Sequence, residues 1–242
     1  MPTRLDQYLV SFGLAPTRAR AADAIARGTV RVDGATARKA GQKVAAGAVV
    51  TLDDPAAGYV SRSALKLVAA LDLAGIDPTG RACLDIGAST GGFTQVLLER
   101  GARHVTALDV GTDQLHPSLV ADPRVTEVKA NARDLSAAML LEPPSLTVCD
   151  VSFISLTLAM PPALDQTVPG GACVLLVKPQ FEAGRGGVGK GGIVAPERGE
   201  AIARAMRAWL DGLPGWRSTH VVPSPIHGGD GNREWLLCGA KA

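Results

Sequence analysis

Apolar positions at the start of the chain recur at helical spacing. Leu5, Tyr8, Leu9 and Phe12 share one face of a short helix over 4–13, which Gly13 ends. Thr17 is a plausible N-cap for a second helix running to Arg27, with Gly28 as its stop. The period then shortens to two. Val30-Arg31-Val32 runs into the turn dipeptide Asp33-Gly34, and Val49–Leu52 forms another strand. Residues 53–60 break the pattern with Pro55 and Gly58 and read as a linker. A helix over 61–75 follows, with Ser61 as candidate cap and Leu65, Val68 and Leu71 facing inward. From there strands and helices alternate. Strands are expected at 82–86, 104–109, 125–129, 146–150, 172–177, 217–222 and 234–239. Helices are expected near 92–100, 112–121, 133–141, 155–164 and 196–212. That alternation predicts an α/β domain with a seven-stranded, mostly parallel sheet over 61–242, preceded by a small α+β domain over 1–52.

Composition changes this picture only at its margins. A chain of 242 residues holds one medium and one small domain. No apolar run reaches the ~18 residues a membrane span needs, and Arg18 and Arg20 follow the modest apolar start where a signal peptide would lie. Cys83, Cys149, Cys173 and Cys238 stand singly among apolar residues, which suits buried strand thiols in a reducing cytoplasm. Charge is more telling. Residues 1–52 carry eight basic side chains against three acidic ones, a net of +5, which leaves −3 for the rest of a chain whose formal charge is +2. A basic head on a mildly acidic body suits a polyanionic partner, although a solvated surface would look the same.

The candidate chemistry centres on residues 82–94. A short apolar strand ends at Gly87, and a helix opens at Gly92. Such a turn lets backbone approach a ligand and offers free N–H groups at the helix start. Three residues separate Gly87 from Gly91, so the dinucleotide spacing of glycines is absent. Asp85 instead completes Asp-x-Gly-x-x-x-Gly, the S-adenosylmethionine (SAM) pattern of Rossmann-like methyltransferases. The candidate cofactor loop is therefore Asp85, Gly87, Ala88, Ser89, Thr90, Gly91, Gly92 and Phe93. Asp109 ends the second strand, where an acid commonly grips ribose hydroxyls, and Asn131 and Asp134 follow the third, where adenine contacts are expected. Each of these three is equally suited to capping a helix. Asp150 and Lys178 end the fourth and fifth strands, and Glu234 begins the last one, which reaches the same sheet edge if it runs antiparallel. These charges form either a structural ion-pair network or a catalytic cluster.

Two resemblances sharpen these alternatives. Arg4-Leu5-Asp6, Thr17-Arg18, Ala21, Ile25, Gly28, Val30–Gly34 and Lys39 resemble the small RNA-binding S4 domain. The likeness implies that Arg4, Arg18, Arg20, Arg31 and Lys39 meet structured RNA. Asp150, Lys178 and Glu234, joined by Lys66 of the 61–75 helix, resemble the Lys-Asp-Lys-Glu tetrad of FtsJ-like ribose 2′-O-methyltransferases. Tyr59–Arg62, Asp85–Thr94, Asp150–Ser155 and Lys178–Glu182 together resemble the TlyA family of rRNA cytidine 2′-O-methyltransferases, whose members are also labelled hemolysins. The resemblance implies a class I Rossmann-like fold, SAM as cofactor and ribosomal RNA in ribosomal subunits as partner. It also implies a cytoplasmic monomer that needs no metal. Lys178 would orient and help deprotonate the ribose hydroxyl, with Lys66, Asp150 and Glu234 holding it in place. The short ends favour 23S rRNA. Ser63, where family members have a small glycine, and Ala57, where some have arginine, depart from the pattern. The glycine-rich stretch 183–192, with Arg185 and Lys190, reads as a lid over RNA or as a flexible loop. A membrane-lytic protein and a non-catalytic RNA-binding assembly factor are the competing classes. The first lacks a spanning segment, and the second predicts a damaged tetrad or cofactor loop.

Overall fold

The computed structural model describes residues 3–184 and 186–242, so Arg185 lies outside the described residues. The chain divides into two compact units, Met1–Gly58 and Tyr59–Ala242.

In the first unit the order is β1 (Thr3–Arg4), α1 (Leu5–Ser11), α2 (Arg18–Arg27), β2 (Val30–Val32), β3 (Ala35–Thr36), β4 (Lys43–Val44) and β5 (Val50–Leu52). Leu5, Leu9, Ala21, Ile25, Val30 and Val44 make its core. Thr17 caps α2 by accepting the Arg20 N–H, and Gly28 closes it in the left-handed region, as expected. β2 pairs antiparallel with β3 and β5, and β1 with β4. Asp33 and Gly34 both take positive φ, 48° and 79°, which a tight hairpin between β2 and β3 requires. The two-residue strands β1, β3 and β4 are too short to display an alternation, so the pattern alone left them unread. Residues 53–58 pack with this unit: Arg27 donates to both oxygens of Asp54, at 2.7 Å each, and also to Asp23.

The second unit runs α3 (Ala64–Ala74), β6 (Ala82–Ile86), α4 (Gly92–Glu99), β7 (His104–Asp109), α5 (Pro117–Val120), β8 (Val125–Lys129), β9 (Leu146–Cys149), α6 (Leu156–Ala159), α7 (Pro161–Gln166), β10 (Ala172–Val177), α8 (Pro179–Glu182), α9 (Pro196–Asp211), β11 (Trp216–Pro223) and β12 (Trp235–Lys241). Its sheet has the order β11-β12-β10-β9-β6-β7-β8. β12 is antiparallel to both neighbours, while β8, β7, β6, β9 and β10 are parallel. Each strand sends alternate residues to opposite faces. Leu67, Leu71, Phe93 and Leu97 cover one face over Val105, Val148 and Val174. Leu156, Met160, Leu164 and Leu210 cover the other over Leu84, Ile86 and Leu175. The four cysteines are buried on β6, β9, β10 and β12.

All seven strands lie where the pattern put them, to within a residue or two, but several helices do not. The expected helix at 133–141 is two 3₁₀ turns, Ala132–Asp134 and Ala137–Met139, because Ser136 is extended between them and Pro143-Pro144 closes the segment. The 155–164 helix divides at Met160, since Pro161 and Pro162 have no N–H to continue the ladder. The 112–121 helix shrinks to the turn that Pro117 opens. α3 starts at Ala64 and buries Ala64, Lys66, Leu67, Ala70 and Leu71. Leu65 and Val68, expected inside, are half-buried. Its phase is set by packing against α4 and β12.

Candidate functional site

Parallel strands place their carboxyl ends at one edge of the sheet, and the site is built there. β6 runs straight into the glycine turn. Gly87 has φ +80°, and a Cβ at this position would lie 3.0 Å from the Asp150 carbonyl oxygen, so only glycine lets the turn sit against the end of β9. Ser89, also at positive φ, is held by its N–H donating to Asp109 Oδ2 at 2.9 Å. The other oxygen, Asp109 Oδ1, accepts the Gly111 N–H at 2.8 Å.

A cleft of about 640 Å³ opens beside this turn, lined among others by Gly87, Ser89, Asp109, Asn131, Asp150 and Phe153. A smaller cavity of about 180 Å³ adjoins it through Gly87, Ser89, Asp150 and Ser152, and reaches Ala88, Thr90, Phe93, Ser61, Ser63 and Lys178. Most of the sequence-derived cofactor positions therefore border one continuous space. The exceptions are instructive. Asp85 is fully buried beneath the turn, where Oδ2 accepts from the Thr94 hydroxyl at 2.7 Å and Oδ1 has no partner. Burial pushes its carboxyl up to about 7. Gly91 and Gly92 act through packing: a Cβ on Gly91 would collide with Leu119 and Leu115, and one on Gly92 with Ser63 and Ser61. Asp134 is exposed and away from the cleft, whereas its neighbours Ala132 and Arg133 line it. Asn131 does both things foreseen for it: it borders the cleft and its Oδ1 caps the turn by accepting the Arg133 N–H at 3.1 Å.

Lys66, Asp150, Lys178 and Glu234 come together. Lys178 Nζ lies 2.7 Å from Asp150 Oδ1, and Lys66 Nζ lies 2.7 Å from Glu234 Oε2 and 3.8 Å from Asp150 Oδ2. The antiparallel β12 makes this possible, because Trp235 sits opposite Val177 and so brings Glu234 and Lys178 to the same end. Lys66, Lys178 and Glu234 are buried and Asp150 nearly so. Two cations alternate with two carboxylates, so the cluster carries no net charge, and this alternation is what makes its burial tolerable. Lys178 also donates to Ser152 Oγ at 2.8 Å. An ammonium has three donors. The Lys178 hydrogen bond to Ser152 and its ion pair with Asp150 hold the ammonium at the border of the small cavity, with donor capacity to spare.

Several contributors were not legible beforehand. Ser152 sits two residues after Asp150 in a stretch whose pattern gave it no role. Ser63 lines the small cavity and bonds Ser61 Oγ at 3.0 Å, so this departure from the family pattern does touch the site. Glu182 accepts from Ser155 Oγ at 2.5 Å and from the Leu156 N–H at 2.8 Å, which ties the 150–156 loop to the end of β10. Burial raises the Glu182 carboxyl above its ordinary range. Phe153, at φ 67° and 90% exposed, stands at the cleft mouth with its ring 5.1 Å from that of Phe181.

In the first unit, Arg4 and Arg18 converge on buried Asp6, each at 3.0 Å. The Arg4 hydrogen bond, reinforced by Arg18, holds the Asp6 carboxyl far below its usual range. Arg20 donates to the Ala56 carbonyl at 2.7 Å and Arg31 to the Gly34 carbonyl at 3.2 Å, while Lys39 is exposed in the loop before β4. The five basic residues thus lie on β1, α2, β2 and this loop. In the glycine-rich stretch, Asn232 accepts the Val194 N–H and donates to the Gly192 carbonyl, which fastens that end of it to the loop before β12.

Residues 59–241 match the FtsJ-like methyltransferase family and residues 3–50 match the S4 domain. The chain is 45% identical over 239 residues to a Mycobacterium tuberculosis protein named 16S/23S rRNA (cytidine-2′-O)-methyltransferase TlyA, covering 97% of this chain and 88% of that one. It is 39% identical over 179 residues to the Campylobacter jejuni 23S rRNA (cytidine-2′-O)-methyltransferase TlyA, covering 74% and 69%. A solved Streptococcus thermophilus structure that carries a hemolysin label superposes with a TM-score of 0.76 at 39% identity, over 100% of this chain and 90% of that one. With an S4 domain followed by an FtsJ-like methyltransferase domain, and with this similarity along nearly its full length, the chain belongs to the TlyA family.

Proposed function

We propose that this protein transfers a methyl group from SAM to the 2′-hydroxyl of a cytidine in ribosomal RNA. The observation that carries the reading is the neutral chain Glu234–Lys66–Asp150–Lys178 at the border of a glycine-lined cleft. The residues present suit the cofactor. Each Asp109 oxygen already accepts one backbone N–H and keeps lone-pair capacity for a ribose hydroxyl. Gly87 lets the turn sit against the end of β9 beside the cleft, and Asn131, Ala132 and Arg133 line that cleft. SAM supplies an electrophilic methyl group when bound.

The remaining work falls to the protein. A ribose hydroxyl is a weak acid, so its oxygen must be oriented and its proton given a path. Lys178, held at the cavity border by Ser152 and by its ion pair with Asp150, keeps donor capacity with which it positions the hydroxyl oxygen. As the proton leaves, Asp150 is the adjacent acceptor at the cavity border, and Lys66 on its second oxygen fixes its orientation. Glu234 keeps Lys66 in place. The Phe153 ring at the cleft mouth offers a flat apolar surface to a nucleotide turned out of its stack. The basic head holds structured RNA through Arg4, Arg18, Arg20, Arg31 and Lys39, contacts that give affinity and position rather than sequence reading.

Large-subunit RNA is the substrate common to the names of the two relatives, and it is the target we assign to this chain. The protein works as a monomer in the cytoplasm. Among the described residues, no helix is long and apolar enough to cross a membrane. Incubation of separated ribosomal subunits with labelled SAM, followed by nucleoside mapping, tests the assignment. Methyl groups on cytidine ribose of the large subunit are expected. Equal incorporation into the small subunit would widen the target without altering the reaction.

A further inference from the structure

The first unit holds two aromatic residues, Tyr8 and Phe12. They stand four residues apart, and the fold lays one on the other, with ring centroids 4.2 Å apart and planes inclined by 23°. Leu5 and Leu9 occupy the buried face of α1, which leaves the aromatic pair on its flank, and Phe12 is 66% exposed. A groove of about 480 Å³ runs beside the pair, lined by Thr3, Tyr8, Phe12, Val44, Gly47 and Ala48. Its far wall is made of small residues, so a flat ring can lie against the aromatics without obstruction. Thr3 pairs with Val44 on the β1–β4 ladder, and the next pair on that ladder is Arg4 with Lys43. The pleat turns Arg4 and Lys43 to the opposite side of the ladder, where Lys43 is exposed and the Arg4 guanidinium is held by Asp6.

We propose that Tyr8 and Phe12 form a stacking platform for an unpaired base of structured RNA, with the exposed Lys43 meeting a flanking phosphate. This rests on the reading that the protein acts on ribosomal RNA, and it adds a base-face contact to the phosphate contacts of the head. Stacked on Tyr8, the exposed Phe12 ring presents a flat apolar face on which a partner can bury area. The positive excess of residues 1–52 selects a polyanion over an uncharged partner or a second copy of the same basic unit. Every nucleobase has a π-face, so an aromatic platform suits an RNA held by shape rather than by sequence. Because the rings are already stacked, little side-chain freedom is lost on binding.

The two kinds of contact separate by salt. A stacked base contributes affinity without releasing counterions, whereas a phosphate contact contributes through their release. The experiment measures binding of the full chain to protein-free 23S rRNA across a salt series, for wild type, Phe12→Ala, Tyr8→Ala/Phe12→Ala, Phe12→Trp and Lys43→Ala. Phe12→Ala is expected to weaken binding ~10-fold with an unchanged slope of log affinity against log salt. Phe12→Trp should restore affinity, with quenching of the new tryptophan on RNA addition, and Lys43→Ala should lower the slope. Wild-type affinity for the double variant would overturn the platform, as would a loss carried wholly by the slope. So would a loss seen only on intact subunits, which points to a ribosomal protein, or a wild-type dimer dissolved by Phe12→Ala. Failure of the wild type to bind 23S rRNA at all would instead overturn the RNA reading on which the platform rests.

Discussion

Lys178 is held 2.7 Å from Asp150, whose second oxygen faces Lys66 at 3.8 Å, so a single carboxylate couples both lysines of the site. A solitary buried lysine would be costly, and this one is anchored by Asp150 and Ser152, which border the same cavity. Lys178→Ala is therefore expected to lower methyl transfer by at least ~10²-fold while SAM binding stays within a few-fold of wild type. Calorimetry and a methylation assay on one preparation check this. Turnover near the wild-type rate would remove Lys178 from its role and leave the cluster structural.

Asp109 should behave in the opposite way. Asp109→Ala removes an acceptor facing the cleft and also releases the Ser89 and Gly111 N–H groups. SAM affinity should fall ~10-fold or more, from hydrogen bonds worth about 0.5–1.5 kcal/mol each, while RNA affinity is unchanged. Equal SAM affinity in variant and parent would reduce Asp109 to a support for the turn.

Asp85 makes stability depend on pH. Its folded carboxyl titrates at about 7 against an ordinary value of 3.8, so the folded state keeps its proton longer than the unfolded one. The stabilisation is complete below about pH 4 and is lost as pH rises through about 7, with a slope of at most about 1.4 kcal/mol per pH unit between. Denaturant titrations of wild type and Asp85→Asn at several pH values should show the wild type losing stability relative to the variant across that window. Parallel profiles would contradict the burial argument.

Glu182 never enters the cavity, yet it fastens the loop that carries Asp150, Ser152 and Phe153. Glu182→Ala should lower kcat ~10-fold with SAM affinity nearly unchanged, because the donors on the loop lose their acceptor. Glu182→Gln keeps an oxygen for the Leu156 N–H and should recover part of the loss. Steady-state kinetics with a SAM binding measurement separate these outcomes. A loss confined to SAM affinity would place the role of Glu182 elsewhere.

The strands and the cofactor turn were readable because a buried parallel sheet writes continuous apolar runs, and a tight turn under Asp150 demands glycine at 87. The tetrad was readable in part. Asp150 and Lys178 follow strand ends, but Lys66 on an amphipathic helix looks solvated, and only its family resemblance singled it out. Its burial depends on Glu234, 168 positions further along the chain, and no local pattern records that pairing. The phase of α3 departs from its apolar spacing for a similar reason: packing against α4 and β12 turns Ala64, Leu67 and Lys66 inward and leaves Leu65 half-buried. Asp85, preceding the first glycine, has the sequence position of a cofactor contact. Strand alternation places it under the turn with Thr94 instead.

The most direct test of the enzyme is chemical. Purified large subunits lacking the modification are incubated with the full chain and SAM carrying a labelled methyl group, and the RNA is digested to nucleosides for mass spectrometry. The label is expected in 2′-O-methylcytidine, with Lys178→Ala giving none above background. Label on a nucleobase, or no label from the wild type on either subunit, would contradict ribose 2′-O-methylation of ribosomal RNA by this protein.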